Sequence, residues 1–214
     1  MEAVLFDMDG LLVDTEQVWY EVETEAAERL GGTWGRAHQR RLVGGSLDST
    51  VAYILRVTNS DVAPEVVAGW MLDSMKTRLA EGVELMPGAD ELLTAVRAAG
   101  LRTGLVTSSA AVIADAVLGV VGRERFDIVV TGDDVTRYKP DPEPYLRAAA
   151  LLGLEPGRCV VLEDSPNGVA AATAAGCRVV AVPSVLPVPE APGRLVVGSL
   201  REVTVDRLRD LLAA

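Results

Sequence analysis

Two aspartates near the N-terminus are the first residues whose type and spacing point to chemistry. Asp7 and Asp9 follow the apolar run at residues 4–6, which predicts a buried β-strand. Because side chains alternate faces along an extended chain, the two carboxylates point the same way, and Gly10 permits a tight turn after them. Like charges this close need a partner, and a divalent cation is the most direct one. The pattern alone leaves an ordinary loop or a calcium site open.

Two later segments carry groups that suit an oxyanion such as phosphate. Thr107 and Ser108 lead into a predicted helix, where a hydroxyl and backbone amides favour an anion, although an ordinary helix cap is the alternative. Lys139 stands at the mouth of another predicted helix, and Pro140 and Pro142 fix the backbone beside it. Only 2 of the 20 basic residues are lysines, which favours a point charge for phosphate or carboxylate over a solvated surface lysine.

A second acidic pair, Glu163 and Asp164, follows the apolar run at residues 160–162. One such pair is unremarkable, but two pairs at the ends of predicted strands indicate a shared site for a hard cation. Carboxylate, water and phosphate oxygens are the ligands that Mg²⁺ prefers. Open α/β sheets bind their ligands at the carboxyl ends of the strands, so we expect all four segments to meet at one edge.

The chain after residue 86 alternates between short apolar strands and amphipathic helices. This alternation predicts a Rossmann-like parallel sheet covered on both faces, and hence an α/β fold. The predicted strands are residues 4–6, 101–106, 128–130, 159–162 and 178–182, and the predicted helices are residues 89–99, 109–118, 142–152 and 167–175.

The segment between the first strand and residue 86 breaks this alternation. Apolar residues recur every four positions across residues 18–30, which predicts one helix. Ser46 caps a second predicted helix, and Pro64 begins a third. The predicted domains are therefore an inserted all-helical cap at residues 15–85 and a catalytic core at residues 1–14 plus 86–214.

Composition limits the classes of partner. The chain has 214 residues, 49% of them apolar, and a formal net charge of −11 with acids and bases scattered. Nucleic acids and anionic membranes need a basic surface, so neither is expected as a partner. No signal peptide or membrane-spanning run is evident, and Cys159 and Cys177 suit reduced, buried thiols. We expect a cytoplasmic protein, and a monomer, because no exposed apolar stripe is left over.

Taken in order, these segments resemble the haloacid dehalogenase superfamily of phosphohydrolases. The resemblance covers essentially the whole chain. It is closest to the branch of small phosphatases and beta-phosphoglucomutase, in which a helical cap follows the first strand. Its signatures here are residues 6–10, 106–109, 139–142 and 162–168. Each signature is weak singly, whereas four in order at plausible spacing are specific.

The resemblance implies a catalytic role for five of these residues. Asp7 would be the nucleophile that forms an aspartyl-phosphate, and Asp9 would protonate the leaving oxygen and then act as general base. Thr107 by its hydroxyl, Ser108 by its backbone amide and Lys139 by its ammonium would hold the transferring oxygens.

The resemblance also implies a metal and a lid. Mg²⁺ would be bound by Asp7, the main-chain carbonyl of Asp9 and Asp164, with Glu163 near the metal or bound to it through water. The cap would exclude solvent and supply substrate contacts. The candidate substrate contacts in the cap are Gln17, Trp19, Val43, Gly45 and Leu47.

The favoured function is a phosphatase for a small phosphorylated metabolite such as a sugar or polyol phosphate. The first alternative is a phosphosugar mutase of the beta-phosphoglucomutase type. Mutase relatives carry basic residues in the cap loop where this chain has Val43 and Leu47, although Arg40 and Arg41 are close enough in sequence to supply charge. The second alternative is a non-catalytic module that binds a phosphate ligand, but such a relative is expected to have lost part of the four-segment site.

Overall fold

A six-stranded parallel sheet forms the centre of the protein, of which the computed structural model describes residues 1–213. Its strands are β1 (Ala3–Phe6), β2 (Arg102–Val106), β3 (Ile128–Val130), β4 (Cys159–Glu163), β5 (Arg178–Ala181) and β6 (Arg194–Val196). They lie in the order β3-β2-β1-β4-β5-β6, so β1 is flanked by β2 and β4. The predicted α/β fold with a parallel sheet is confirmed.

Four helices occupy the segment that was assigned to the cap. They are α1 (Glu16–Arg29), α2 (Arg36–Gln39), α3 (Leu47–Thr58) and α4 (Pro64–Ala80). Ser46 caps α3 by accepting from the amide of Ser49, and Pro64 lies in the first turn of α4. The two connections to the sheet run side by side, because the amides of Asp14 and Met86 donate to Glu84 and Leu12. The domain division at these connections stays a prediction.

Five further helices pack on the two faces of the sheet. They are α5 (Ala89–Ala98), α6 (Ala111–Val121), α7 (Glu143–Leu151), α8 (Pro166–Ala174) and α9 (Val205–Ala213). Val4 and Phe6 of β1 belong to one buried apolar cluster with α5, α6 and α9, whereas Ala3 and Leu5 belong to another with α7 and α8. The first cluster continues into α1, α3 and α4, and α4 packs against α6 on this side of the sheet. Within residues 1–213, no helix is both long and apolar enough to cross a bilayer.

The largest differences from the sequence prediction lie at the ends of the chain and of α6. The sequence did not predict the strand β6 or the helices α2 and α9. The strand β6 has only three residues, all half-buried, at the sheet edge. The helix α6 begins at Ala111 instead of Ser109. The amide of Ser109 donates to Thr107 Oγ1, and that of Ala111 donates to Asp133 Oδ2, so the intervening residues form a loop before the helix.

Candidate active site

The carboxyl ends of the three central strands bring most of the predicted site residues to one edge of the sheet. The strand β1 pairs in parallel with β2 and β4, and the three strands end in register. One cavity lies between this edge and the cap helices. The residues at or beyond the strand ends that line it are Asp7, Asp9, Thr107, Ser108 and Asp164. Together with Lys139 they are called the core wall.

Lys139 binds two carboxylates at the base of the core wall. Its Nζ donates to Asp7 Oδ1 at 2.5 Å, to Glu163 Oε1 at 2.6 Å and to the carbonyl of Val106 at 3.0 Å. Only 4% of the lysine is exposed. Burial by itself lowers the pKa of Lys139, but the charges of Asp7 and Glu163 outweigh burial and raise it above its ordinary value. The lysine is therefore a fixed positive charge beside Asp7.

Glu163 is fully buried and accepts donors at both of its carboxylate oxygens. The hydroxyl of Tyr145 donates to Oε1 at 2.6 Å, next to the contact from Lys139. The amides of Asp164 and Ser165 donate to Oε2 at 3.1 and 3.3 Å. A Cβ at Gly168 in the first turn of α8 would lie 1.7 Å from Oε1, so only glycine leaves room for this carboxylate. Glu163 thus orients Lys139 from behind.

Three carboxylates of this edge lie close enough together to bind one ion. Asp7, Glu163 and Asp164 each offer an oxygen within 4.8 Å of the others. Burial, and next the charge of Glu163, raises the pKa of Asp7 and of Asp164 well above the usual range for aspartate. One ammonium does not balance three acids, so the donor set fits a hard divalent cation. Gly10, at φ 75°, lets the first loop approach Asp164, whose Oδ2 would lie 2.5 Å from a Cβ there.

The carboxylate of Asp9 bridges the core and the cap. Ser109 Oγ and Thr107 Oγ1 donate to its Oδ2 at 2.8 and 3.3 Å. Thr15 Oγ1 and the indole Nε1 of Trp19 donate to its Oδ1 at 2.6 and 3.0 Å. Asp9 is therefore held by side chains that precede or begin α1 and by side chains that follow β2.

The segment after β2 presents a free donor to the cavity. The amide of Ser109 donates to Thr107 Oγ1 at 3.0 Å, which turns the backbone before α6. The amide of Ser108 donates to no other group of residues 1–213, and its buried hydroxyl has no hydrogen-bond partner there either. A backbone N–H and a hydroxyl without partners beside Lys139 suit the oxygens of a bound anion.

The opposite side of the cavity is formed by the cap helices. It is lined by polar side chains of α1, α2 and α3, which we call the cap wall: Glu16, Trp19, Glu23, Gln39 and Thr50. Burial, with the charges of Asp9 and Asp14, raises the pKa of Glu16 to about 7. Burial, with the charge of Glu16, also raises the pKa of Glu23 to about 7, although the hydrogen bond from Trp34 opposes this effect. The cap wall is thus acidic and mostly buried.

A family model described as haloacid dehalogenase-like hydrolase matches residues 4–182. The chain belongs to the haloacid dehalogenase-like hydrolase family. It is 34% identical over 215 residues to hexitol phosphatase A of Escherichia coli strain K12, with 96% of this chain and 94% of the relative covered.

Solved structures of family members agree with this assignment. A CbbY variant from Rhodobacter sphaeroides in complex with xylulose-(1,5)bisphosphate superposes with a TM-score of 0.85 at 31% identity, with 94% of this chain and 96% of that chain covered. A beta-phosphoglucomutase from Clostridium difficile superposes with a TM-score of 0.88 at 24% identity, with 100% of this chain and 97% of that chain covered. The second likeness shows the fold alone.

The structure of this hydrolase brings nearly all of the predicted site residues to the cavity. Glu163 does not line the cavity, although its carboxylate lies against Lys139. Gln17, another candidate substrate contact, does not line the cavity. Gln17 is exposed, and its amide contacts Glu21 and Arg36 instead. One helix position separates it from Glu16, so the two side chains lie on different faces of α1. The other candidates in the cap do line the cavity: Trp19, Val43, Gly45 and Leu47.

Sequence reasoning missed four residues that shape the site. Tyr145 is a fully buried tyrosine in a helix of small residues, and a buried hydroxyl needs a partner. Ser184 follows β5 at the ligand-binding edge and donates to Asp164 Oδ2 at 2.5 Å. Ser109 is the third hydroxyl residue after β2. Glu23 lies four positions after Trp19 and so on the same face of α1. Each of these residues has a recognisable sequence feature, but many residues without a functional role have the same feature.

Proposed function

We propose that the protein is a Mg²⁺-dependent phosphatase that hydrolyses a small phosphorylated metabolite, a sugar or polyol phosphate, through an aspartyl-phosphate intermediate. The observation that carries the proposal is the contact between Lys139 Nζ and Asp7 Oδ1 at 2.5 Å, at the base of the cavity that Asp9 and Ser108 line. A carboxylate attacks a phosphate only where positive charge offsets the repulsion between the two anions. The similarity to hexitol phosphatase A supports a carbohydrate phosphate as substrate.

The metal in this proposal is held by residues of the core edge. Asp7, Asp164 and the main-chain carbonyl of Asp9 would bind Mg²⁺, and Glu163 would lie near the metal or contact it through water. Carboxylate oxygens within 4.8 Å of one another are the donor set that supports this assignment. When bound, the ion offsets negative charge on the phosphate and orients it.

The chain's own groups then perform two displacements at phosphorus. Asp7 Oδ attacks phosphorus while Asp9 gives a proton to the leaving oxygen, so the alcohol departs and an aspartyl-phosphate forms. Asp9 next accepts a proton from a water that attacks the same phosphorus, which frees inorganic phosphate and restores the Asp7 carboxylate. Lys139, the Thr107 hydroxyl and the Ser108 amide bind the phosphate oxygens during both steps.

The charges around the cavity favour hydrolysis over the mutase reaction. A mutase must hold a second phosphate against its cap. Among the lining residues in the described part of the chain, Lys139 is the only cation, and it lies in the core wall. Arg40 and Arg41 are exposed and do not line the cavity, while Val43 and Leu47 do. No cavity-lining residue of the cap, within the described part of the chain, therefore offers a positive charge to a second phosphate.

The remaining parts of the proposal concern the setting of the enzyme. We keep the predictions of a cytoplasmic monomer that binds neither nucleic acid nor membrane. The scattered charges and the net charge of −11 support the absence of nucleic acid and anionic membrane partners.

The direct test is phosphate release from sorbitol 6-phosphate with Mg²⁺ and with EDTA. We expect release with Mg²⁺, loss of release with EDTA, and a loss of at least about a thousandfold in kcat for Asp7→Asn. The matched control is Asp115→Asn on the exposed face of α6, which should keep full activity. Equal release by Asp7→Asn would remove Asp7 as the nucleophile. Isomerisation of a hexose 1-phosphate without free phosphate would favour the mutase.

A further inference from the structure

The cap wall contains a largely buried carboxylate with a protein hydrogen-bond donor at only one of its two oxygens. Glu23 is 4% exposed and lines the cavity. The indole Nε1 of Trp34 donates to its Oε2 at 3.1 Å. Its Oε1 accepts from no donor within residues 1–213, and this oxygen is open to the cavity. A carboxylate oxygen that faces a cavity without a protein donor can accept a hydrogen bond from a ligand that enters it.

A second side chain of the cap wall is in the same condition. Thr50 on α3 is 6% exposed and lines the same cavity. Its backbone amide donates to the carbonyl of Ser46 as part of α3, but its hydroxyl has no hydrogen-bond partner in the described part of the chain and is open to the cavity. The hydroxyl can both donate and accept. The cap wall therefore offers one acceptor and one donor–acceptor to a ligand.

The charge of this wall limits the ligand further. Glu16 lies two helical turns before Glu23 on the same face of α1, and both line the cavity. The nearest guanidinium, that of Arg36, is exposed and contacts Gln39 Oε1 and the ring of Tyr20. A second phosphate or a carboxylate would meet acids here without a cation. Neutral hydroxyl groups, in contrast, can donate to Glu23 and pair with Thr50.

We propose that Glu23 and Thr50 form a subsite for hydroxyl groups at the end of the substrate farther from the phosphate, and that this subsite selects uncharged polyhydroxy monophosphates over bisphosphates. The proposal rests on the phosphatase function and deepens it. The CbbY complex contains a bisphosphate, so the family fold itself does not exclude that class. The selection depends on the side chains of this chain's cap wall.

The test compares kcat/KM for three substrates in the presence of Mg²⁺. Sorbitol 6-phosphate has neutral hydroxyl groups, fructose 1,6-bisphosphate has a second phosphate, and p-nitrophenyl phosphate has no hydroxyl groups to bind. For the unaltered enzyme we expect kcat/KM for sorbitol 6-phosphate to exceed that for the bisphosphate at least about tenfold. A preference for the bisphosphate would overturn the proposal.

Two substitutions separate recognition from structure. Glu23→Gln keeps an oxygen for the Trp34 indole but loses the charge. It should lower the ratio of kcat/KM for sorbitol 6-phosphate to that for p-nitrophenyl phosphate about tenfold, mainly through KM. Thr50→Val keeps the shape of the side chain and should lower the same ratio about threefold or more. The matched control is Glu28→Gln, an exposed position on the same helix, which should leave the ratio unchanged.

The outcomes distinguish this proposal from the phosphatase assignment. If the unaltered enzyme releases phosphate from none of the three substrates, the proposed function fails. If it releases phosphate but the ratio is unchanged in both Glu23→Gln and Thr50→Val, the subsite alone is refuted. If Glu23→Gln lowers kcat equally for both substrates with KM unchanged, the carboxylate positions the catalytic groups, and the subsite is again refuted.

Discussion

The acidic side chains of the two cavity walls differ in the charge partners and hydrogen-bond donors that the protein gives them. In the core wall, Asp7 contacts an ammonium, and Asp9 accepts four donors from both sides of the cavity. In the cap wall, Glu23 has one donor for two oxygens. The core wall is thus preorganised by the protein, while the cap wall leaves hydrogen-bonding groups open to a ligand. Reaction chemistry and substrate recognition are expected to respond differently to substitution.

The largest effect is expected where the core wall loses its cation. Lys139→Met leaves Asp7 and Glu163 buried without a positive charge, which should lower the free energy of unfolding by about 3–5 kcal/mol and abolish phosphate release. Urea unfolding measures the first effect, and added Mg²⁺ should restore part of the stability because the ion supplies positive charge at the same edge. Lys76→Met, the exposed lysine on α4, is the control and should change stability by no more than about 0.5 kcal/mol. A stable, active Lys139→Met enzyme would contradict the proposed role.

Glu23 of the cap wall should make the free energy of unfolding depend on pH. The pKa of Glu23 rises to about 7 in the folded protein, so the folded state binds a proton more tightly than the unfolded chain. The unaltered protein should therefore lose stability as pH rises from about 4.5 to 7. Glu23→Gln removes the part of this loss that is due to Glu23, and its stability relative to the unaltered protein should increase between pH 5 and pH 8 by at most roughly 3 kcal/mol. Urea unfolding at both pH values measures the change, and a difference independent of pH would contradict it.

A smaller effect is expected from the hydroxyl behind the core wall. Tyr145→Phe removes the donor to Glu163 Oε1 but keeps the ring, which lies 5.0 Å from Lys139 Nζ. Stability should fall by about 1–3 kcal/mol, because a buried carboxylate oxygen loses one of its two donors. Thermal or urea unfolding checks this value. Tyr20→Phe, which also keeps its ring, is the control, and equal losses in both variants would argue against a specific contact.

The smallest effect concerns a surface contact between the cap segment and the loop that precedes α7. The hydroxyl of Tyr138, next to Lys139, donates to Asp48 Oδ2 on α3 at 3.3 Å. The pair is exposed, so Tyr138→Phe should lower stability by no more than about 0.5 kcal/mol. The same variant is expected to change kcat/KM for sorbitol 6-phosphate less than twofold. A larger change would mean that this contact helps to hold the cap over the core.

Much of the fold and of the core wall follows from local sequence. The strands β1 and β4 contain short, uninterrupted apolar runs because they are buried on both faces, and that pattern is hard to confuse with a surface element. Asp7 and Lys139 are 132 positions apart, yet Asp7 directly follows a predicted strand and Lys139 lies just before a predicted helix. The rule that parallel strands bind ligands at their carboxyl ends was enough to expect them together.

The rest depends on details that sequence patterns do not contain. The exposed Gln17 and the cavity-lining Glu16 differ by one position on α1, and a residue pattern does not fix the rotation of a helix over a cavity so finely. The edge strand β6 is too short and too exposed to produce an apolar run. The donors to Glu163 come from the turn after β4 and from Tyr145, so they depend on three-dimensional packing that spacing alone does not give.

Each wall of the cavity also has its own indole as a direct neighbour. The indole N–H of Trp19 contacts Asp9, and that of Trp34 contacts Glu23. Variants in which Trp19 or Trp34 is the single tryptophan, with the other one and Trp70 replaced, would make intrinsic fluorescence a local reporter. Binding could then be followed separately at the reacting phosphate and at the far end of the substrate, without an attached dye and without turnover.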